Sequence, residues 1–483
     1  MPTPETFHQS TPLGAIGVAV TRHVIDVPAS FNVPYEGANS LVQQEFSDGF
    51  SPSYGSGLAF KGVDAAGNLE FYCLTDRGPN GDGPRLPSPD GSLTDSKIFP
   101  APGFIPSIGV FKVGVDGAVL AASWPIRMAP ALMASGLPVP PGTPGTVSEI
   151  ALHDTLQVDL ARAPMVHPGG IDSEAIAYDR QRRVLWVTDE YGPFLMKIDP
   201  AGVTLQARYA PGNGLPAILA RRRANRGMEG MTYDSATDTI HAFLQSPLSD
   251  GAAFHVASGK AEKVERFAAF LRWIEFDPAS ESTLRMMAYP LAAGVFAQGR
   301  TGHAKLGDMA ALGGGKFVVI EQGEGAGGAM FNKLMLVQTG AATDIGAGAF
   351  NPDSADLERS SMGGAPVNGA DWSAVTPLRK TELLSLNNIG WVAEKAEGLA
   401  LVDEYTLAMT NDNDFGMQTR VFDSAGNERA NADVTGYEVD AAGAILSGGA
   451  ATDTVRVARG ANRERPLSLW LLRFTQPLAS YGG

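Results

Sequence analysis

Apolar and polar positions alternate along much of the chain in short runs broken by tight polar turns, the pattern of β-strands joined into hairpins. It is plainest in DSEAIAYDRQRRVLWVTDEYGP, residues 172–193, where an acid opens the strand AIAYD, QRR makes the turn, and VLWV runs into Asp189 and Glu190. Paired as a hairpin, the two strands bring both ends, and their carboxylates, to one rim of a sheet.

The unit repeats. NRGMEGMTYDSATDTIHAFLQ puts Glu229 and Gln245 where the first unit has Glu174 and Glu190, each pair sixteen residues apart. KLGDMAALGGGKFVVIEQGE carries Asp308 and Glu321 across a shorter turn, and KAEGLALVDEYTLAMTNDND carries Glu397 with Asn411, Asp412 and Asp414. SGLAFKGVDAAGNLEFYCLTDRGPNGDG keeps the strands and ends in Asp76-Arg77, with Ser56 where the others have an acid. Further strands with polar turns follow in SIGVFKVGVDG, FLMKIDPAG, LRWIEFDPAS and LSLWLLRF, so each copy reads as three or four antiparallel strands.

Repeated hairpin units with irregular insertions predict an all-β fold, a β-propeller counted as one domain over residues 1–483. Six blades are expected, five from the legible copies and a sixth from the terminal strands or the poorly patterned stretches. The runs GAIGVAV and HVIDVPA near the N-terminus are candidates for an outer strand that closes the ring. Loop-rich insertions are expected at about 77–106, 124–170, 345–380 and 416–466, with a short helix in the second and another at TPLRKTELLSL.

Composition narrows the partners. With 37 basic and 52 acidic side chains the formal net charge is −15, which disfavours nucleic acid and anionic membranes and suits cations. Cys73 is the single cysteine, so no internal disulfide or cysteine cluster forms, and a core thiol is expected. The start MPTPETFHQS has neither the charged nor the apolar region of a signal peptide, and no run of about 18 apolar residues occurs. GEGAGG at 323–328 matches a dinucleotide motif by letter, but MFNKLMLV after it reads as a strand and not the helix such a site needs.

In a propeller the innermost strands start near one face of a central channel, so Glu174, Glu229, Asp308 and Glu397 are expected to converge as a ring. Asp76, Asp189, Glu190, Glu321 and Asp412 are further candidates at strand ends. Carboxylates crowded into a partly desolvated channel take up protons or a cation. Hard oxygen donors without cysteine or paired histidine select Ca²⁺ first, Mg²⁺ or Mn²⁺ after it. Basic residues recur beside the acids, with Arg77 next to Asp76 and Arg226, Lys305 and Lys395 just ahead of Glu229, Asp308 and Glu397. They would either face an incoming anion or pair locally with the carboxylates. His303 is a candidate rim acid or base.

At LTDRGPNGDG, DSEAIAYD with LWVTDEYGP, NRGMEGMTYD, KLGDMAAL with IEQGE, and KAEGLALVD with TNDNDFG, the sequence resembles the phytase-like family, also described as esterase-like activity of phytase. The resemblance implies a calcium-bearing propeller that hydrolyses phosphate esters in a secreted or periplasmic setting. Metal held by Glu174, Glu190, Glu229, Asp308, Glu321 and Glu397 would then activate water, with Arg77, Arg226, Lys305 or Lys395 neutralising the phosphoryl oxygens. The expected partner is a small anionic ester and the expected state a monomer. Two alternatives stay open: a calcium-dependent carboxylesterase or lactonase, and a non-catalytic binding propeller with structural calcium.

Overall fold

The computed structural model describes residues 2–482 except 88–92, 148, 154–164, 258–260, 351 and 441–444. Each of the four expected insertions includes some of those exceptions. Five sheets share one plan, four antiparallel strands in order from the channel outwards. Blade 1 is Gly57–Val63, Leu69–Leu74, Ser107–Gly114 and Gly117–Pro125, and blade 2 is Ser173–Asp179, Val184–Asp189, Phe194–Asp199 and Thr204–Pro211. Blade 3 is Met228–Asp234, Thr239–Leu244, Phe270–Asp277 and Ser282–Pro290, and blade 4 is Ala304–Gly313, Lys316–Glu324, Met330–Gln338 and Arg379–Ser385. Blade 5 takes Leu399–Asp403, Thr406–Thr410 and Ser468–Phe474 from the C-terminal part and Gly14–Asp26 from the N-terminal part.

The innermost strand of each blade packs on that of the next, and blade 5 packs back on blade 1. A separate apolar cluster fills each of the five interfaces. Between blades 2 and 3, for example, Trp186 meets Phe276 with ring centroids 5.9 Å apart. Aromatic side chains that bury about 150–250 Å² each contribute roughly 4–6 kcal/mol apiece to such an interface. Five interfaces and five blades, among the described residues, correct the expected count of six. The N-terminal run expected to close the ring does so from within blade 5, pairing with Ser468–Phe474 from Val18 to Val24. Its hydrogen bonds go to the fifth blade, to Glu5–Thr11 on its other side and, at Ile25 and Asp26, to the outer strand of blade 1, and no sixth blade forms from it.

The glycines beside the acids are where neighbouring blades come closest. A Cβ on Gly227 would sit 2.0 Å from the carbonyl oxygen of Glu190, and one on Gly230 would sit 2.6 Å from that of Gly307. Only residues without a side chain permit this approach.

Two local expectations are corrected. TPLRKTELLSL is a strand, the outermost of blade 4, because its backbone completes a ladder with Met330–Gln338 and both Leu383 and Leu384 are buried. The helix of that insertion is Asp356–Ser361, anchored by Glu358, which accepts hydrogen bonds from Arg272 at 2.7 and 2.9 Å. The described part of 124–170 forms short strands and turns with no helix. GEGAGG joins the paired strands Lys316–Glu324 and Met330–Gln338, as expected for a hairpin. Cys73 is fully buried at the interface of blades 1 and 5.

The insertions are more ordered than loops. Gly81–Pro87, Leu93–Phe99, Ile150–His153, Glu438–Val439 and Ile445–Ser447 form one sheet, and Met417–Phe422 pairs with Thr454–Arg459. Together with the helix Ser40–Glu45 they enclose their own apolar cluster, which includes Val42, Phe50, Ile98 and Val457. This cap stands over the mouth of the channel where the repeated acids end, and the two enclose a cavity between them.

Candidate metal centre

Each innermost strand begins at the capped mouth, and each second strand ends there, so the hairpin grammar of the sequence delivers its carboxylates to one place. Three ring acids meet. Single carboxylate oxygens of Glu174, Glu229 and Glu397 all lie within 4.8 Å of one another. Oxygens of Asp172, Glu174 and Glu190 form a second group within the same limit, so Glu174 belongs to both. All five acids are buried.

Burial, reinforced by Glu229, Asp172, Glu190 and Glu397, pushes the Glu174 carboxyl well above the usual carboxylate range. Glu229 and Glu397 are raised the same way, burial first. Burial and Asp172 raise Glu190 to about 7. Two atoms lack what burial demands: Glu190 Oε1 and Asp172 Oδ2 have no hydrogen bond, and the latter has only Arg77 Nη1, 3.3 Å away. Five all-oxygen donors, two adjacent triads and unsatisfied buried oxygens fit a hard divalent cation.

The remaining candidates divide. Asp76 and Asp412 line the same cavity. Burial, then Asp412 and Asp172, raises Asp76, whose carboxylate accepts from the Gly78 amide at 2.8 Å. Asp412 accepts from Ser53 Oγ at 2.7 Å and Lys395 Nζ at 2.6 Å, and Lys395 holds it below its ordinary value despite burial.

Asp189, Asp308 and Glu321 stand apart from the centre. Asp189 caps the backbone amides of Asp172, Tyr191 and Gly192 at 2.7–3.2 Å, and burial raises it to about 7. Asp308 falls one residue past the ring position, which Gly307 holds: Met309 opposes Val319 as Ile176 opposes Val187 and Met231 opposes Ala242, so Glu174 and Glu229 stand two residues before that pair and Asp308 only one. It accepts from the amides of Met231, Met309 and Leu399 at 3.0, 2.8 and 3.2 Å, tying blades 3 and 5 to blade 4. Glu321 points to the opposite face of its strand, where it accepts from Tyr289 Oη at 2.6 Å and from Lys380. Strand alternation gives the channel side to its neighbour Gln322, which lines the cavity.

The cations behave in two ways. Arg77 is buried between Asp172 and Glu149, at 3.3 and 3.4 Å, and Lys395 bridges Asp412 and Asp414 at 2.6 and 2.7 Å. Burial works against the Lys395 charge, but those two acids and Glu397 outweigh it and raise its pKa. Lys305 has only Glu394 at 3.8 Å, and Arg226 has no ion pair among the described residues. His303 lies off the centre in an adjoining cavity, with Nδ1 3.1 Å from Glu324.

The sequence reading missed Asp172 and Gln322, which line the cavity, and Glu149, which pairs with Arg77 beside it. Asp172 opens the clearest repeat, yet the positions two before Glu229 and Glu397 are Gly227 and Lys395, so no repeated acid marks it. Glu149 lies in the Pro/Gly-rich insertion with no pattern to single it out.

Sheet order and five inter-blade clusters define a β-propeller with an acidic centre under a cap. Residues 129–415 match the model of the phytase-like family, described as esterase-like activity of phytase, and the chain belongs to that family. No curated protein matches the sequence. Similar solved structures include the catalytic domain of a GH62 α-L-arabinofuranosidase from Coprinopsis cinerea, at 9% identity and TM-score 0.35 over 94% of this chain and 98% of that one. The PQQ domain of pyranose dehydrogenase from Coprinopsis cinerea is 13% identical, with TM-score 0.32 over 86% of this chain and 96% of that one.

Proposed function

We propose that the protein hydrolyses phosphate esters with the help of a divalent cation, calcium first, held by Asp172, Glu174, Glu190, Glu229 and Glu397. One observation carries this reading. Asp172, Glu174, Glu190 and Glu397 share a cavity of about 580 Å³ with Arg77, Arg226, Lys305 and Lys395, so a cation centre and anion-attracting side chains face the same space. When bound, such an ion supplies Lewis acidity toward a phosphoryl oxygen and toward water.

The chain's own groups do the rest. Arg226 and Lys305, the least neutralised cations, attract the anionic ester and offset charge on its non-bridging oxygens. Asp412 and Asp414 fix the Lys395 ammonium at the cavity wall, while Arg77, buried on Asp172, holds that carboxylate in place. Asp414 lies outside both triads; its side chain is 48% exposed, but desolvation by the surrounding protein and then Asp412 raise it to about 6 against the pull of Lys395. It titrates close enough to neutrality to take up a proton from the attacking water. The cap limits solvent access to the cavity, and the carboxylates stay in place because Gln245 Nε2 donates to Glu229 at 2.9 Å and Asp308 fixes the strands two residues beyond Glu229 and Glu397. A small anionic ester as partner, a monomeric state and a secreted or periplasmic location complete the proposal.

Chelator-treated protein, with and without added Ca²⁺, is to be assayed on a phosphomonoester, a phosphodiester, a phosphotriester, a carboxylic ester and a lactone. Calcium-restored turnover of phosphate esters is expected. Turnover confined to the carboxylic ester or lactone would replace this reading, and calcium-dependent melting without turnover would make the protein a binding propeller.

A further inference from the structure

The innermost strands run on past the metal centre and shape the uncapped end of the channel. Three residues beyond the ring position, every blade supplies a small side chain: Ala59, Ala177, Thr232, Ala310 and Ala400. One residue further the side chains are large in four blades, with Phe60, Tyr178, Tyr233 and Leu401, and Ala311 in the fifth. A narrow waist of methyl groups under an aromatic rim leaves a well of about 390 Å³. Its floor includes Met231, Met309 and Leu399, whose amides hold the Asp308 carboxylate, and no residue lines both this well and the acidic cavity.

Charge at the rim is of one sign. Among the described residues no Asp or Glu lines the well, in a chain whose formal net charge is −15. Arg182 is taken by Asp179 and Asp238, at 2.9 and 2.7 Å, but no carboxylate pairs with Arg180, which lines the well. Arg180 is nevertheless held: Nη2 donates to the Phe60 carbonyl at 2.8 Å, reaching from blade 2 to blade 1, and the guanidinium lies 5.3 Å from the centroid of the Tyr178 ring. Tyr233 Oη donates to Asp238 at 2.7 Å, which fixes a second rim ring.

We infer that this well is a second ligand site, at the opposite end of the channel from the metal centre, and that it takes a small aromatic carboxylate. The ring lies among the rim aromatics and the alanine methyls, and the carboxylate faces outwards onto Arg180, whose fork matches its two oxygens. A cavity of roughly 150 Å³ holds benzene, so the well has room for two fused rings and the acid group. A rigid ring system also fills it at less conformational cost than a flexible chain of the same size. An inorganic anion would leave the apolar wall unused. The site does not depend on the hydrolytic reading.

The test is a calorimetric titration of the native protein with 2-naphthoate and with its uncharged analogue 2-naphthamide. Millimolar or tighter binding of the naphthoate is expected, with the naphthamide at least fivefold weaker. Arg180→Gln, shown by its melting curve to be folded, should bind naphthoate at least fivefold more weakly and naphthamide within twofold of native. Ala311→Phe, which places a ring at the one rim position without a large side chain, should weaken both ligands at least fivefold. No naphthoate binding by the native protein, or equal binding by Arg180→Gln, overturns the site, as does native affinity in Ala311→Phe. If Arg180→Gln misfolds, the naphthoate and naphthamide affinities of the native protein decide the role of charge, and equal values overturn it.

Discussion

Glu174→Gln should have opposite effects on the metal-free and metal-loaded protein. Glu174 is shared by both triads, with Asp172, Glu190, Glu229 and Glu397 as its neighbours. Two ionised carboxylates 4.8 Å apart repel by about 3 kcal/mol at an effective dielectric of 20. A buried group facing four such neighbours escapes most of that by keeping its proton, so the relief on substitution is smaller, about 1–2 kcal/mol at pH 8. The metal-free variant should therefore melt roughly 1–3 °C above the native protein. With calcium the order reverses, because an amide replaces the carboxylate common to both triads. Affinity should fall at least ~100-fold, about 2.7 kcal/mol. Differential scanning calorimetry reads the first effect and calcium titration the second. A variant with native calcium affinity and an unchanged metal-free melting point would refute the reasoning.

Stability should depend on pH with an unusual sign. Glu174, Glu190, Glu229, Glu397 and Asp189 all have folded-state values above those of the unfolded chain. The native state then holds more protons than the unfolded one from about pH 4.3 upward. Metal-free protein should lose stability as pH rises through about 7, where Asp189 and Glu190 titrate, and calcium should restore it; a Tm that climbs from pH 5 to 8 without calcium would contradict this. Glu321→Gln should cost about 3 kcal/mol in denaturant unfolding by leaving Lys380 without its buried partner, yet keep calcium affinity native. A large loss of affinity would return Glu321 to the metal centre. Asp308→Asn turns a donor toward amides that need acceptors, so about 1–3 kcal/mol of stability should go, with weaker calcium binding because the strands bearing Glu229 and Glu397 lose their tie. Unchanged stability would contradict the role of Asp308.

The five hairpin copies were legible because two-residue alternation and turn chemistry agree at each one, and an acid recurs in four of them. Blade count was less so. Whether Gly14–Asp26 starts a sixth sheet or completes the fifth depends on its pairing with Ser468–Phe474, more than 400 residues away, and no local pattern encodes that. The polar stretches 77–106 and 416–466 read as loops because the strands of the cap are short and find their partners in each other. At the centre, Glu174, Glu190, Glu229 and Glu397 followed from phase alone. Asp308 stands one residue past the ring position of its strand and ends on backbone amides, and Glu321 lay one residue out of register with the channel face.

The central claim is that one buried carboxylate cluster exchanges its protons for a divalent cation. The most direct measurement is a calcium titration of chelator-treated native protein at pH 7, by calorimetry in two buffers of different ionisation enthalpy, so that proton release is counted. Raised Glu174, Glu229 and Glu397 predict saturable binding with at least one proton expelled per chain. Absence of saturable binding, or binding with no proton released, would contradict the account.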